Sequence, residues 1–120
     1  METDIFNANE ALSHIDNDMT LLKEIAGLFL QNYPAQLAKI RSAIAQSNSK
    51  GLEYAAHDIK GSAGQFCAKY TFEAALRLEI IGRENNWTDV KEAYATLEKE
   101  IERLRSKLEA VITENPSGIA

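Results

Sequence analysis

The last third of the chain sets the tightest constraint on the fold. Val90, Tyr94, Leu97, Ile101, Leu104, Leu108 and Val111 recur at alternating steps of four and three residues, the spacing of a coiled-coil seam. A helix carrying them is about 33 Å long at ~1.5 Å per residue and apolar along one stripe. Glu98, Glu100, Glu102, Arg103, Arg105 and Lys107 take the other faces, a solvated surface with some i,i+4 pairing. Such a stripe must be covered along its whole length. The remaining chain has enough helix to cover it, so the seam is expected to be core rather than a dimer interface, and the protein a monomer.

The covering helices are legible in order. Asn7 followed by Glu10 resembles a capping box, opening a short helix with Ala11, Leu12 and Ile15. Asp16, Asn17 and Asp18 make a polar break with N-cap chemistry. A second helix carries Leu22, Ile25, Ala26, Phe29 and Tyr33. Pro34 suits the first turn of a third, striped by Leu37, Ile40 and Ile44 and ended by a loop at Gln46 to Lys50. A fourth spans roughly residues 50 to 67. Phe72 to Glu84 is apolar on two sides, with Ala74, Leu78 and Ile81 on one and Phe72, Leu76 and Ile80 on the other, which predicts a central helix. Asn85, Asn86 and Trp87 supply a turn before the seam, which Thr88 or Asp89 can cap. No strand candidate, repeat or second domain is visible. The expected fold is all-α, an up-and-down antiparallel four-helix bundle with a short extra N-terminal helix. It is expected to occupy residues 1–112, with 113–120 a disordered tail.

Charge and cysteine content narrow the function classes. A net charge of −5 over 120 residues argues against nucleic-acid binding, which calls for a basic stripe. The single cysteine cannot form an internal disulfide, which fits a reducing compartment. No apolar run approaches the ~20 residues needed to span a bilayer, and METDIF has no signal-peptide character. Cytoplasmic localisation without membrane insertion is the expectation.

One stretch does not behave as ordinary helix: AAHDIKGSAGQFC, Ala55 to Cys67. At about 100° per residue, Ala56, Ile59, Ala63 and Phe66 fall within roughly 40° of Leu52, a coherent buried face. His57, Lys60, Gly61 and Gly64 fall together on the other side, so the histidine is displayed beside one cation and small neighbours. If the chain reverses near residue 68, His57 and Glu79 stand equally far from the turn and at one level of the hairpin. Glu79 and Arg83 form an i,i+4 pair with Gly82 between them. A second charged cluster is therefore expected beside the histidine.

His57-Asp58-Ile59-Lys60-Gly61-Ser62-Ala63-Gly64, with Leu78-Glu79-Ile80-Ile81-Gly82-Arg83 on the next helix, resembles the signature of histidine-containing phosphotransfer (HPt) domains of bacterial-type two-component phosphorelays. Phe6, Ala11-Leu12, Leu21-Leu22, Ile25 and Phe29 resemble the family's N-terminal half, so the likeness spans roughly residues 5 to 110. Ile59 replaces the family's usual leucine, and Cys67 stands where many members have a second glycine. The resemblance implies a carrier, not an ATP-dependent enzyme. His57 would accept a phosphoryl group from a receiver-domain aspartyl phosphate and pass it to another receiver. Lys60 would stabilise the phosphoryl oxygens, Gly61 and Gly64 would clear the approach of the receiver's loops, and Glu79, Gly82 and Arg83 would support from the second helix. The implied partners are response-regulator receivers or a hybrid sensor kinase. No intrinsic cofactor is implied, and Mg²⁺ would be supplied by the receiver, because nothing here forms a carboxylate cage.

Two other readings compete. A sensor-kinase phosphoacceptor helix also carries His-Asp/Glu-Ile/Leu-Lys/Arg, but follows it with Thr or Asn and then Pro, where this chain has Gly61-Ser62, and no Gly-rich ATP lid is present. A helical docking module with a silent His57 is the other. The simplest readings of the remaining residues are modest. Glu79 and Arg83 fit a pair that orders the bundle, His14 a surface residue, and Cys67 a small packing residue. No metal site is expected, since His14, His57 and Cys67 have no ligand spacing on one helix.

Overall fold

The computed structural model describes residues 1–113. Among them are six helices and no strand: α1 (Glu2–Ile5), α2 (Ala8–Ser13), α3 (Met19–Ala45), α4 (Ser49–Gln65), α5 (Lys69–Glu84) and α6 (Val90–Thr113). The four long ones form the up-and-down bundle, 50 Å along its principal axis, and α1 and α2 close one end. The tail expected to be disordered lies outside the described residues, apart from Thr113, which ends α6.

The seam on α6 is core: Val90, Leu97, Ile101, Leu104 and Leu108 are all buried. They pack against two clusters stacked along the bundle. One joins Leu37 and Ile40 of α3 to Leu52, Ala56 and Ile59 of α4 and Leu78 of α5. The other holds Leu22, Ala26 and Phe29 with Ala63 and Phe66. Its aromatic rings meet edge to face, Phe6 on Phe66 at 6.1 Å and Phe29 on Phe66 at 5.6 Å, the geometry ring quadrupoles prefer.

The helices expected on either side of Pro34 are one. Pro34 lies inside α3, although an interior proline loses one hydrogen bond and costs about 3 kcal/mol. The stripe from Leu22, Ala26 and Phe29 to Leu37, Ile40 and Ala43 stays buried on both sides of it, and breaking the helix would expose half of that stripe. Pro34 itself faces solvent, where water can reach the carbonyl that its ring deprives of a donor.

Capping explains the breaks. Asn7 accepts from the Glu10 N–H at 3.0 Å, Asp18 from Leu21 at 3.0 Å and Asn48 from Gly51 at 2.9 Å, each satisfying a donor that the first turn leaves unpaired. Between α2 and α3, Asp16 and Asn17 turn the chain with positive φ, and Asn85 does so after α5. Asx residues tolerate this conformation. Helix α1 was not expected; its four residues are too few to show a period. Buried Ile5, an ion pair between Glu2 and Lys107, and a 2.9 Å hydrogen bond from the N-terminal amine to the Tyr70 hydroxyl hold it down.

The α4–α5 reversal is tighter than expected. Helix α4 ends at Gln65 and α5 begins at Lys69, with Cys67 at φ 49° making the turn. A left-handed cysteine carries no sequence signal. The second apolar side of α5 is only partly used: Leu76 and Ile80 are half-buried and Phe72 is exposed.

Candidate functional site

Helices α4 and α5 approach so closely because of Gly82. A β-carbon there would lie 2.6 Å from the Glu53 nitrogen and 2.7 Å from the Ser49 carbonyl oxygen, distances that real side chains do not reach. With the helices this near, the faces bearing His57 and Glu79 meet at one level, as the hairpin count predicts. The His57 side chain is 62 % exposed while that of Glu79 is 5 % exposed.

Glu79 is the hub of the cluster. Its Oε2 lies 3.0 Å from His57 Nδ1 and accepts from the Arg83 guanidinium at 3.0 Å, while Oε1 pairs with the Lys60 ammonium at 2.7 Å. Burial alone would raise the Glu79 pKa, but hydrogen bonds and charge attraction from Lys60 and His57 outweigh it and hold the carboxyl below its ordinary value. An ionised carboxylate can only accept, so Nδ1 of His57 carries the hydrogen toward Glu79. In the neutral ring the lone pair then sits on Nε2, on the exposed side. Arg83 also reaches Glu53 of α4 at 3.2 Å, tying the two helices together on the far side of the hub.

Lys60 is held rather than free. Its ammonium rests between Glu79 and the Phe72 ring, 5.7 Å from the ring centroid, a cation–π distance. A β-carbon on Gly61 would meet nothing within 4 Å, and one on Gly64 would meet only the Phe72 ring at 3.9 Å. No internal packing requires either glycine, unlike Gly82.

The structure thus brings His57, Lys60, Glu79, Gly82 and Arg83 together, with Gly61 and Gly64 opening outward beside them. Glu53 and Phe72 were missed. Glu53 stands four residues before His57, a spacing that places it on the same helix face. Phe72 carried no such signal, because its place under Lys60 depends on how α5 is rotated. Glu79 and Arg83 do pair, at 3.0 Å, and Glu79 in addition contacts the histidine directly.

A family profile described as Hpt domain matches residues 24–107, more than two-thirds of the chain. Neither the curated proteins nor the solved structures gave a significant match. No helix among the described residues is long and apolar enough to cross a membrane. The profile match covers α4 and α5 whole, with most of α3 and α6, and on it the chain belongs to the Hpt domain family, phosphoryl carriers of phosphorelays that work with receiver domains and hybrid kinases and have no ATP-binding site of their own.

Proposed function

We propose that His57 is the phosphoacceptor and that Nε2 is the atom that reacts. The observation that carries this reading is the hydrogen bond from Nδ1 to the buried Glu79 carboxylate at 3.0 Å, which leaves the other ring nitrogen as an exposed nucleophile. Imidazole is the side chain best able to be both neutral and nucleophilic near neutral pH. A receiver docks over α4, the Nε2 lone pair attacks the phosphorus of its aspartyl phosphate, and the P–O bond to the aspartyl group breaks to release the carboxylate. Positive charge develops on the ring as the N–P bond forms, and Glu79 offsets it from the Nδ1 side. The same steps in reverse pass the group to a second receiver.

Lys60, one turn from His57, is placed to donate to the phosphoryl oxygens, exchanging its contact with Glu79 for one with the incoming charge. Gly61 and Gly64 give the receiver's loops a close approach. The hollow between α3 and α4, lined by Leu28, Asn32, Gln36, Ser62 and Gln65, borders that face and offers further contact surface. Mg²⁺ comes with the receiver, because Glu79, the buried carboxylate of the site, is already paired with Lys60 and Arg83. The protein acts as a monomer in the cytoplasm.

The test is transfer of labelled phosphate from an aspartyl-phosphorylated receiver to this chain. The reading expects an acid-labile, base-stable adduct that disappears in His57→Gln. Label that persists in His57→Gln contradicts the assignment.

A further inference from the structure

Just past the C-terminal end of α4, beyond Gly64, three side chains of metal-binding chemistry converge from two parts of the chain. Helix α2 is clamped to the α4–α5 turn: the Asn7 N–H donates to the Phe66 carbonyl at 3.2 Å, and Phe6 packs edge-on against Phe66. Glu10 and His14 lie one helical turn apart and so project from one side of the α2 segment. That side faces Cys67. A carboxylate oxygen of Glu10, a ring nitrogen of His14 and the Cys67 sulfur all lie within 4.8 Å of one another.

We propose that Glu10, His14 and Cys67 form a binding site for a divalent transition cation of the zinc class, with water as the fourth ligand. One oxygen, one nitrogen and one sulfur are the donors Zn²⁺ takes, and three protein ligands leave a tetrahedral position open. Metal–ligand bonds of ~2.0–2.3 Å put tetrahedral donors roughly 3.4–3.7 Å apart, so the cluster has to close by about 1 Å. Glu10 and His14 are exposed and can turn inward to do so. Cys67 is half-buried, and its backbone is fixed at φ 49° by a hydrogen bond from its N–H to the Gly64 carbonyl at 3.1 Å. Glycine would adopt that conformation freely, so the turn itself has no need of a thiol. Burial first, and then the nearby Glu10 carboxylate, raise the Cys67 pKa. Binding therefore breaks the S–H bond, forms the sulfur–metal bond and releases the proton to solvent. This departs from the expectation of no metal site, because the nearness of α2 to Cys67 is a tertiary fact. It does not involve His57 and stands independently of the phosphotransfer reading.

The test is titration of the reduced, metal-free full chain with Co²⁺, followed by Zn²⁺ displacement. The expected result is one ion per chain, with tetrahedral cobalt bands and a thiolate-to-cobalt charge-transfer absorption that Zn²⁺ abolishes. Cys67→Gly, which suits the turn, loses the charge-transfer band with helicity unchanged by circular dichroism. His14→Ala and Glu10→Gln each weaken Zn²⁺ binding by more than the ~10–100-fold that loss of an outer-shell partner costs. Absence of the charge-transfer band in the parent chain, or Zn²⁺ binding undiminished in Cys67→Gly, overturns the proposal.

Discussion

Gly82 and Gly61 sit on facing helices near the same histidine and look alike in sequence, yet the structure gives them opposite surroundings. A methyl group on Gly82 would press into the backbone of α4 at Ser49 and Glu53, whereas one on Gly61 would meet nothing within 4 Å. The first glycine lets two helices close up, and everything at the site depends on that closeness. The second costs about 1 kcal/mol of helix propensity relative to alanine and gains no internal contact. A position that the fold does not need to keep open, beside an exposed histidine, is what a docking partner would require.

The largest expected effect comes from Gly82→Ala. Backbone atoms cannot rotate aside, so overpacking should cost about 3 kcal/mol, against a propensity gain of ~1 kcal/mol. The net loss should appear as a lower denaturation midpoint together with weakened phosphotransfer as α4 and α5 part. A midpoint equal to or above the parent's would show that α4 and α5 do not depend on Gly82 for their close approach. Glu79→Gln should come next. It removes charge-assisted hydrogen bonds worth about 1.5–3 kcal/mol in general and leaves Lys60 and Arg83 without their shared anion. Because the folded-state pKa of Glu79 lies below its ordinary value, its contribution is fully present above the unfolded pKa of about 4.5 and is lost as pH falls through the lower folded value. Stability curves of the parent and Glu79→Gln should therefore converge in acid, and parallel curves would refute the hub.

Smaller effects sharpen the contrast. Lys60→Ala should slow transfer while the bundle stays folded, and an unchanged rate would remove its role. Gly61→Leu should weaken receiver docking at least ~10-fold, or about 1.4 kcal/mol, with helicity intact. Gly61→Ala should raise stability by up to ~1 kcal/mol. If Gly61→Leu docks normally, the open face is unrelated to a partner.

What was legible in sequence followed from periodicity and symmetry. The seam from Val90 to Leu108 had to be buried because one apolar stripe ran its full length, and the His57–Glu79 level followed from equal distances to a turn. What was not legible depended on contacts between elements. Pro34 has a strong local tendency to start a helix, but continuous burial from Leu22 to Ala43 prevailed over it. The reversal at Cys67 rests on a left-handed cysteine that no turn signal announces. Glu53 entered the site because Gly82 admits its helix, and Phe72 because α5 is rotated to place the ring beneath Lys60. Gly61, Gly64 and Gly82 were all visible, but only the space around each separates the one that lets α4 and α5 close up from the two that face outward.

The central claim is that Glu79 holds Nδ1 of His57 and so presents Nε2. Phosphorus–nitrogen correlation in NMR of the phosphorylated, ¹⁵N-histidine-labelled chain tests it most directly. The phosphoryl group is expected on Nε2 of His57, with the hydrogen retained on Nδ1. A phosphoryl group on Nδ1, the nitrogen turned toward Glu79, would contradict it.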